Sequence, residues 1–276
     1  MDTLLTTQEA AAHAGVGPTA IKRWADLGLL PCVKTAGGHR RFRQSELVLF
    51  LKEQSTNEPD APRTETAGWV DRLLRSESGH ETEAELLLLR GRAGSWHRAA
   101  PFVGAVLGEI GARWERGELS IIQEHIATER LRRALTRISE SVSVAPDAPL
   151  VLLTMVEGDE HVLGLALVEL CLREAGLRSR WSGRNTPIAD LLTFIEDDGA
   201  ELVAVSASRA SSDKRRLDRF ARRLGDACLE HGVDLLLGGE GAWPEAPTYG
   251  TRVRTFDELH GYLAGRRQGS VQRRAT

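Results

Sequence analysis

Cysteine is scarce: only Cys32, Cys171 and Cys228 occur in 276 residues, far apart and without a C-x-x-C pair. That pattern excludes a disulfide framework and a thiolate metal centre of ordinary spacing, and it suits a reducing compartment. Long apolar runs are missing as well. No uninterrupted stretch approaches the roughly 18 residues that would cross a bilayer. After Met1 the chain is polar and acidic, without the basic and then apolar segments of a secretory leader. The expectation is a cytoplasmic protein with no membrane partner. Neither charge dominates, since 36 Lys and Arg stand against 39 Asp and Glu for a net charge of -3. This argues against general coating of nucleic acid, so the local placement of basic residues carries the information.

What is present is 41% hydrophobic content, enough in a chain this long for two or three small cores. Residues 1–54 read as a short helical unit with a basic hairpin-like stretch, and 55–66 as a polar linker containing two prolines. Residues 67–145 show helical periodicity throughout and predict a four-helix bundle. From 146 to 265 strand-length apolar runs alternate with amphipathic helices. The alternation predicts a multi-domain chain ending in a doubly wound parallel α/β domain of flavodoxin-like (Rossmann-type) order, with its ligand outside the carboxyl ends of the strands. Residues 266–276 form a basic tail expected to be disordered.

The N-terminal unit carries a recognisable rhythm. TTQEAAAHAGVGPTAIKRWADLGLL reads as a helix, a G-V-G-P turn and a second helix closing at Leu27-Gly28. Pro18 suits the first turn of that helix, Ile21 and Trp24 fall on the core side, and Thr19, Lys22 and Arg23 point outward. In KTAGGHRRFRQSEL a Gly37-Gly38 turn separates short extended arms bearing Lys34, His39, Arg40, Arg41 and Arg43. Such a wing grips phosphates and reaches the minor groove. The run from Thr6 to Leu51, above all IKRWADLGLL and GGHRRF, resembles the MerR family of winged-helix regulators. The resemblance implies binding of double-stranded operator DNA through Thr19, Lys22, Arg23, His39, Arg40 and Arg41, with Phe42 packing the wing. Many MerR proteins continue into a dimerising coiled coil; here the linker follows instead, so assembly has to arise elsewhere.

In the bundle, Val103, Leu107, Ile110 and Trp114 recur at helical spacing on one face, and Ser120 with Gln123 forms an S-x-x-Q capping box at the next helix. In the α/β region the first strand ends in EGDEHVLGL, placing Asp159, His161 and Gly164 on the binding rim. Neutral imidazole is a good ligand for cobalt, and a carboxylate two residues earlier orients the ring. Gly164 leaves room for a bulky ring. The third strand ends in Ser206-Ala207-Ser208 and the fourth in Gly238-Gly239, where hydroxyls and bare backbone suit a nucleotide tail. A phosphate-accepting receiver domain would need an aspartate where VSAS stands.

This set resembles the cobalamin-binding domains of methionine synthase and the methylmalonyl-CoA mutase class. The resemblance implies cobalt held through His161 as lower axial ligand. Ser208 departs from the leucine or threonine often found there. WERGELSIIQEH, with Trp114 followed by Glu124-His125, resembles the light-sensing CarH and LitR regulators. That likeness implies adenosylcobalamin capped by the bundle and a homo-oligomeric repressor, dimer or tetramer, that depends on the cofactor and comes apart in light. It implies no enzyme. Where some relatives carry a histidine after the tryptophan, Glu115 stands here, which puts a second histidine ligand after photolysis in doubt. Two other readings stay open: a cofactor-free regulator using its C-terminal domains for protein interaction, and a corrinoid-carrying enzyme subunit.

Overall fold

The computed structural model describes residues 2–14, 16–26, 29–35, 37–55, 62–76, 78–197 and 199–274. The chain divides into two compact units, Met1–Ser143 and Val144–Thr276.

The first unit opens with β1 (Leu4–Leu5), α1 (Thr7–Ala14), α2 (Pro18–Asp26), β2 (Val33–Lys34), β3 (Arg40–Arg43) and α3 (Gln44–Ser55). The three strands pair antiparallel in the order β1-β3-β2. A reciprocal cap starts α1: the Thr6 amide donates to Glu9 Oε2 at 2.7 Å and the Glu9 amide to Thr6 Oγ1 at 3.2 Å. Ile21, Trp24, Phe42 and Leu47 are fully buried, and the rings of Trp24 and Phe50 lie 5.2 Å apart. The close of α2 at Leu27-Gly28 lies outside the described residues.

Four helices follow: α4 (Pro62–Arg75), α5 (Gly79–Ala93), α6 (Trp96–Glu115) and α7 (Ile121–Ser141). Their shared core includes Val70, Leu73, Leu86, Val103, Val106, Ile110, Leu131, Leu135 and Ile138. The Ser120–Gln123 capping box is formed as the sequence predicts. Two details differ from expectation. α4 begins at Pro62, inside the span read as linker, because proline is well suited to a first helical position; 56–61 lie outside the described residues. Trp114 extends the spacing of Val103 and Ile110 yet is 48% exposed, since the core stripe continues through Val106 and the helix ends at Glu115.

The second unit alternates β4 (Leu150–Met155), α8 (Leu163–Glu174), β5 (Arg178–Trp181), α9 (Ile188–Asp197), β6 (Leu202–Ser206), α10 (Lys214–Glu230), β7 (Asp234–Gly238), β8 (Thr251–Arg252) and α11 (Phe256–Arg274). The sheet is parallel with order β5-β4-β6-β7-β8, the flavodoxin-like order expected. Every residue of β4 is buried, as a strand covered on both faces requires. Because the chain leaves β4 for β5 on one side and reaches β6 on the other, a crevice opens at the carboxyl ends of β4 and β6. The tail from 266, expected to be disordered, instead continues α11 to Arg274. Arg266 ties this helix down through ion pairs with Glu201 and Asp234. No described helix is long and apolar enough to cross a membrane.

Candidate functional site

In the first unit the buried side of α2 leaves Thr19 and Lys22 exposed, together with His39 on the wing. Arg23 lies on α2, but its side chain is outside the described residues. The wing is a hairpin: the Thr35 amide donates to the His39 carbonyl at 2.8 Å, and Gly38 turns it at φ +77. Arg40 is turned inward to α2, donating to Asp26 Oδ1 at 2.5 Å and to the Lys22 carbonyl at 2.9 Å. The hydrogen bond and charge of Arg40 hold the Asp26 carboxyl below its ordinary range. Arg40 therefore braces the wing against the recognition helix, while Arg41 is half-buried and Phe42 fills the core behind it. An open cleft of about 440 Å³ is lined by Thr6, Thr7, Lys22, His39, Arg40 and Arg41, a cationic surface suited to phosphate.

The second unit builds its site at the end of β4, where Met155 pairs with Ser206 of β6. The chain then turns through Gly158, at φ +80, whose amide donates to Asn185 Oδ1 at 2.8 Å. Next comes Asp159, its side chain 1% exposed. Oδ1 accepts from the His161 amide at 3.1 Å and lies 3.0 Å from His161 Nδ1. Oδ2 accepts from the Ser208 amide at 2.6 Å and from Ser211 Oγ at 2.8 Å. Burial alone would raise the carboxyl pKa; the amides of Ser208 and His161 and the serine hydroxyls outweigh it and lower it to about 2.

An ionised Asp159 dictates the rest. Its Oδ1 is placed to accept a hydrogen bond from an Nδ1–H of His161, where Ser208 Oγ also approaches to 3.0 Å, an arrangement that turns Nε2 away from both partners as the open ring nitrogen. The His161 side chain is 67% exposed. Among the described residues there is no group of three or more His, Cys, Asp or Glu that could hold a metal ion. One open imidazole nitrogen with an oriented tautomer suits a metal that arrives with most of its ligands in a macrocycle, and it does not suit a bare ion. The donor set therefore fits a corrinoid cobalt.

The glycines at the end of β7 serve close approach. Gly239 adopts φ +80, and a Cβ there would sit 2.3 Å from the Ala207 carbonyl oxygen. Trp243 Nε1 donates to the Gly238 carbonyl at 2.7 Å and Arg252 Nη2 to that of Gly239 at 2.6 Å, holding the turn beside Ser206. Gly164, exposed in the first turn of α8, has nothing within 4 Å of where a Cβ would stand. Ser206, Ser208, Gly238 and Gly239 are thus gathered with Asp159 and His161 on one rim. Ser208 spends its hydroxyl and amide on His161 and Asp159. Ser211 and Asn185 also belong to this framework, and the sequence reading missed them because they lie in loops remote along the chain.

In the first unit Trp114, Glu124 and His125 flank the turn between α6 and α7, and His125 Nε2 lies 3.4 Å from Glu124 Oε2. Ile121, Ile122 and Ile126, 60%, 64% and 40% exposed, extend the apolar surface around them. They were overlooked because a helix-start isoleucine reads as core.

Comparison with known proteins gives two family matches, both within the first unit. The helix-turn-helix domain family matches residues 4–55, and the B12 binding domain family matches residues 103–139, within α6 and α7. This chain joins a helix-turn-helix domain to a B12-binding domain. It is similar to the HTH-type transcriptional repressor CarA of Myxococcus xanthus, 33% identical over 144 residues, 51% of this chain and 46% of CarA. With the repressor CarH of the same organism it is 24% identical over 267 residues, 84% of this chain and 88% of CarH. The chain thus spans about half of CarA and most of CarH. In the order of its parts the chain is similar to CarH. The solved monomethylamine corrinoid protein of Methanosarcina barkeri shares the fold at TM-score 0.51 and 16% identity, covering 74% of this chain and 99% of that one.

Proposed function

We propose that this protein is a cytoplasmic transcription repressor that binds operator DNA and is controlled by adenosylcobalamin, with light as the signal. The observation that carries the cofactor half is the Asp159–His161 pair at 3.0 Å, which leaves Nε2 free on the strand rim. His161 would hold the cobalt, Asp159 and Ser208 would orient it, and Gly164, Ser206, Gly238 and Gly239 would receive the rest of the cofactor. Trp114, Glu124 and His125 would suit an adenosyl group, the indole packing against it and the carboxylate taking ribose hydroxyls. When bound, adenosylcobalamin supplies a cobalt–carbon bond that light breaks.

Support for the DNA half comes from the match of residues 4–55 to the helix-turn-helix domain family and from the likeness to two repressors. Thr19, Lys22, His39 and Arg41 face the duplex, Arg23 is assigned to it on the sequence resemblance alone, and Arg40 sets the wing. A homo-oligomer, dimer or tetramer, holds several readers on one operator and gains affinity from their linkage. A ligand shifts an equilibrium only through differential contacts, so the exposed surface of Trp114, Ile121 and Ile122 senses whether a large upper ligand is present. With Glu115 where some relatives carry a histidine, a second ligand after illumination would have to come from His125 or His97, and gradual loss of cofactor is expected in its absence.

The test is absorbance of the purified chain with adenosylcobalamin, beside His161→Ala, followed by size-exclusion chromatography in darkness and after green light. A changed cobalt spectrum only in the parent, and earlier elution in darkness, are expected. Identical spectra in parent and variant would remove His161 from the site. Identical elution in both conditions would remove light-driven assembly and leave a cofactor-binding regulator.

A further inference from the structure

The face of α10 that points away from the sheet is strongly cationic. Between positions 214 and 223 stand six cations, Lys214, Arg215, Arg216, Arg219, Arg222 and Arg223, and one carboxylate, Asp218, in a chain whose net charge is -3. The other side of the helix buries Leu217, Phe220, Ala221, Leu224 and Cys228 in the core. Two of the cations are committed locally: Arg222 Nε donates to Asp218 Oδ2 at 2.9 Å, and Arg216 donates to the Glu157 carbonyl. Lys214, Arg215, Arg219 and Arg223 are exposed and make no ion pair among the described residues. Arg215, Arg219 and Arg223 follow one another at four-residue spacing, so they line one ridge with an axial repeat of about 6 Å.

This ridge contributes little to the fold. Lys214, Arg215 and Arg216 occupy the first turn, where the helix dipole disfavours positive charge and the Asp213 carboxylate at the cap, which accepts from the Arg216 amide at 3.0 Å, offsets only part of it. Like charges at i and i+4 repel one another by a few tenths of a kcal/mol in an isolated helix. A local electrostatic rule broken without a structural gain marks a surface kept for a partner.

We infer that the Arg215, Arg219 and Arg223 ridge of α10 is a second DNA contact, gripping duplex phosphates without reading sequence. The occupant follows from charge complementarity: an extended row of unpaired guanidinium groups fits the closely spaced phosphates of a polyanion. It rests on the reading of the first unit as a DNA binder, which delivers that polyanion to the chain.

The test uses the full chain and a long random-sequence duplex, with affinity measured by fluorescence anisotropy over a salt series. Three variants are compared with the parent: Arg41→Ala on the wing, a triple Arg215→Gln, Arg219→Gln, Arg223→Gln, and the same triple to lysine. If each arginine holds one phosphate, the glutamine triple lowers the slope of log affinity against log salt by about 2 to 3, since each lost contact removes about 0.9. The lysine triple keeps the parental slope. Far-UV circular dichroism and the melting temperature of both triples match the parent, because the three side chains are exposed. A parental slope in the glutamine triple, with Arg41→Ala still lowering it, overturns the ridge and leaves the DNA-binding reading intact. Equal loss in both triples overturns it too, because charge would not be the cause. No change in any variant removes both readings.

Discussion

The main-chain amide of Ser208 donates to Asp159 Oδ2 at 2.6 Å, so the loop after β6 closes onto the loop after β4 through one buried carboxylate. The other oxygen of that carboxylate faces His161. Positioning of the candidate ligand and closure of the switch-point crevice are therefore one event, and neither loop reaches this geometry without the other.

Replacing Asp159 with asparagine tests that coupling. The variant loses the charge that holds the His161 tautomer, so cobalamin affinity, measured by spectroscopic titration, is expected to fall about 10- to 100-fold. The carboxyl pKa is lowered to about 2 from an ordinary value of 3.8. A depressed carboxyl stabilises the fold fully above its unfolded value and loses that contribution as pH falls through the folded one. Urea unfolding at pH 5 and pH 3 is thus expected to show the parent losing roughly 1–2 kcal/mol more than Asp159→Asn from this group. Equal acid losses would mean the carboxylate is not stabilised by these hydrogen bonds.

Adjacent glycines on β7 and its turn separate folding from binding. Gly239→Ala forces a side chain into φ +80 and to 2.3 Å from the Ala207 carbonyl. It is expected to cost about 2 kcal/mol or more, read as a melting temperature lower by several degrees. At Gly238 a Cβ would meet only the Val205 carbonyl at 3.7 Å, ordinary contact. Gly238→Ala should melt with the parent and, if the strand end receives the cofactor closely as proposed, bind cobalamin more weakly. Unchanged binding in this variant would take Gly238 out of the site.

Arg40 and Arg41 are neighbours with different tasks. Loss of Arg41 should lower DNA affinity and reduce the salt slope by about 1, as removal of one phosphate contact does. Asp26→Ala provides the sharper experiment, because it deletes a negative charge near DNA and on electrostatics alone would strengthen binding. Since Asp26 anchors Arg40 at 2.5 Å, weaker binding is expected instead, measured by anisotropy beside Arg40→Ala. Tighter binding in Asp26→Ala would show that the brace does not matter.

Arg90 of α5 is buried and donates to the carbonyl of Ala14 at the end of α1, at 3.0 Å, tying the bundle to the DNA reader within one unit. Arg90→Ala leaves that carbonyl without this donor and opens a gap, at a cost of roughly 2 kcal/mol or more. Urea unfolding followed by circular dichroism should show the loss. An unchanged midpoint would mean the two parts associate without it.

Several features were legible from local pattern. The alternation from LVLLTMV to FDELHGYLAG, the capping box of Ser120 and Gln123, the Gly37-Gly38 wing and the rim position of His161 all depend on residues within a few positions of one another. Periodicity and capping are properties of such short windows, and they determined the elements and the parallel sheet. The tertiary structure alone decided which groups meet across the chain. Ser208 and Ser211 reach Asp159 from about fifty positions away, Arg40 turns inward to Asp26, and Trp114 leaves the core stripe that its spacing continues. Arg266 pairs α11 with Glu201 and Asp234. Each of these depends on the closure of a long loop. The free energy of that closure is set by the packing of the whole unit, and no window of sequence contains it.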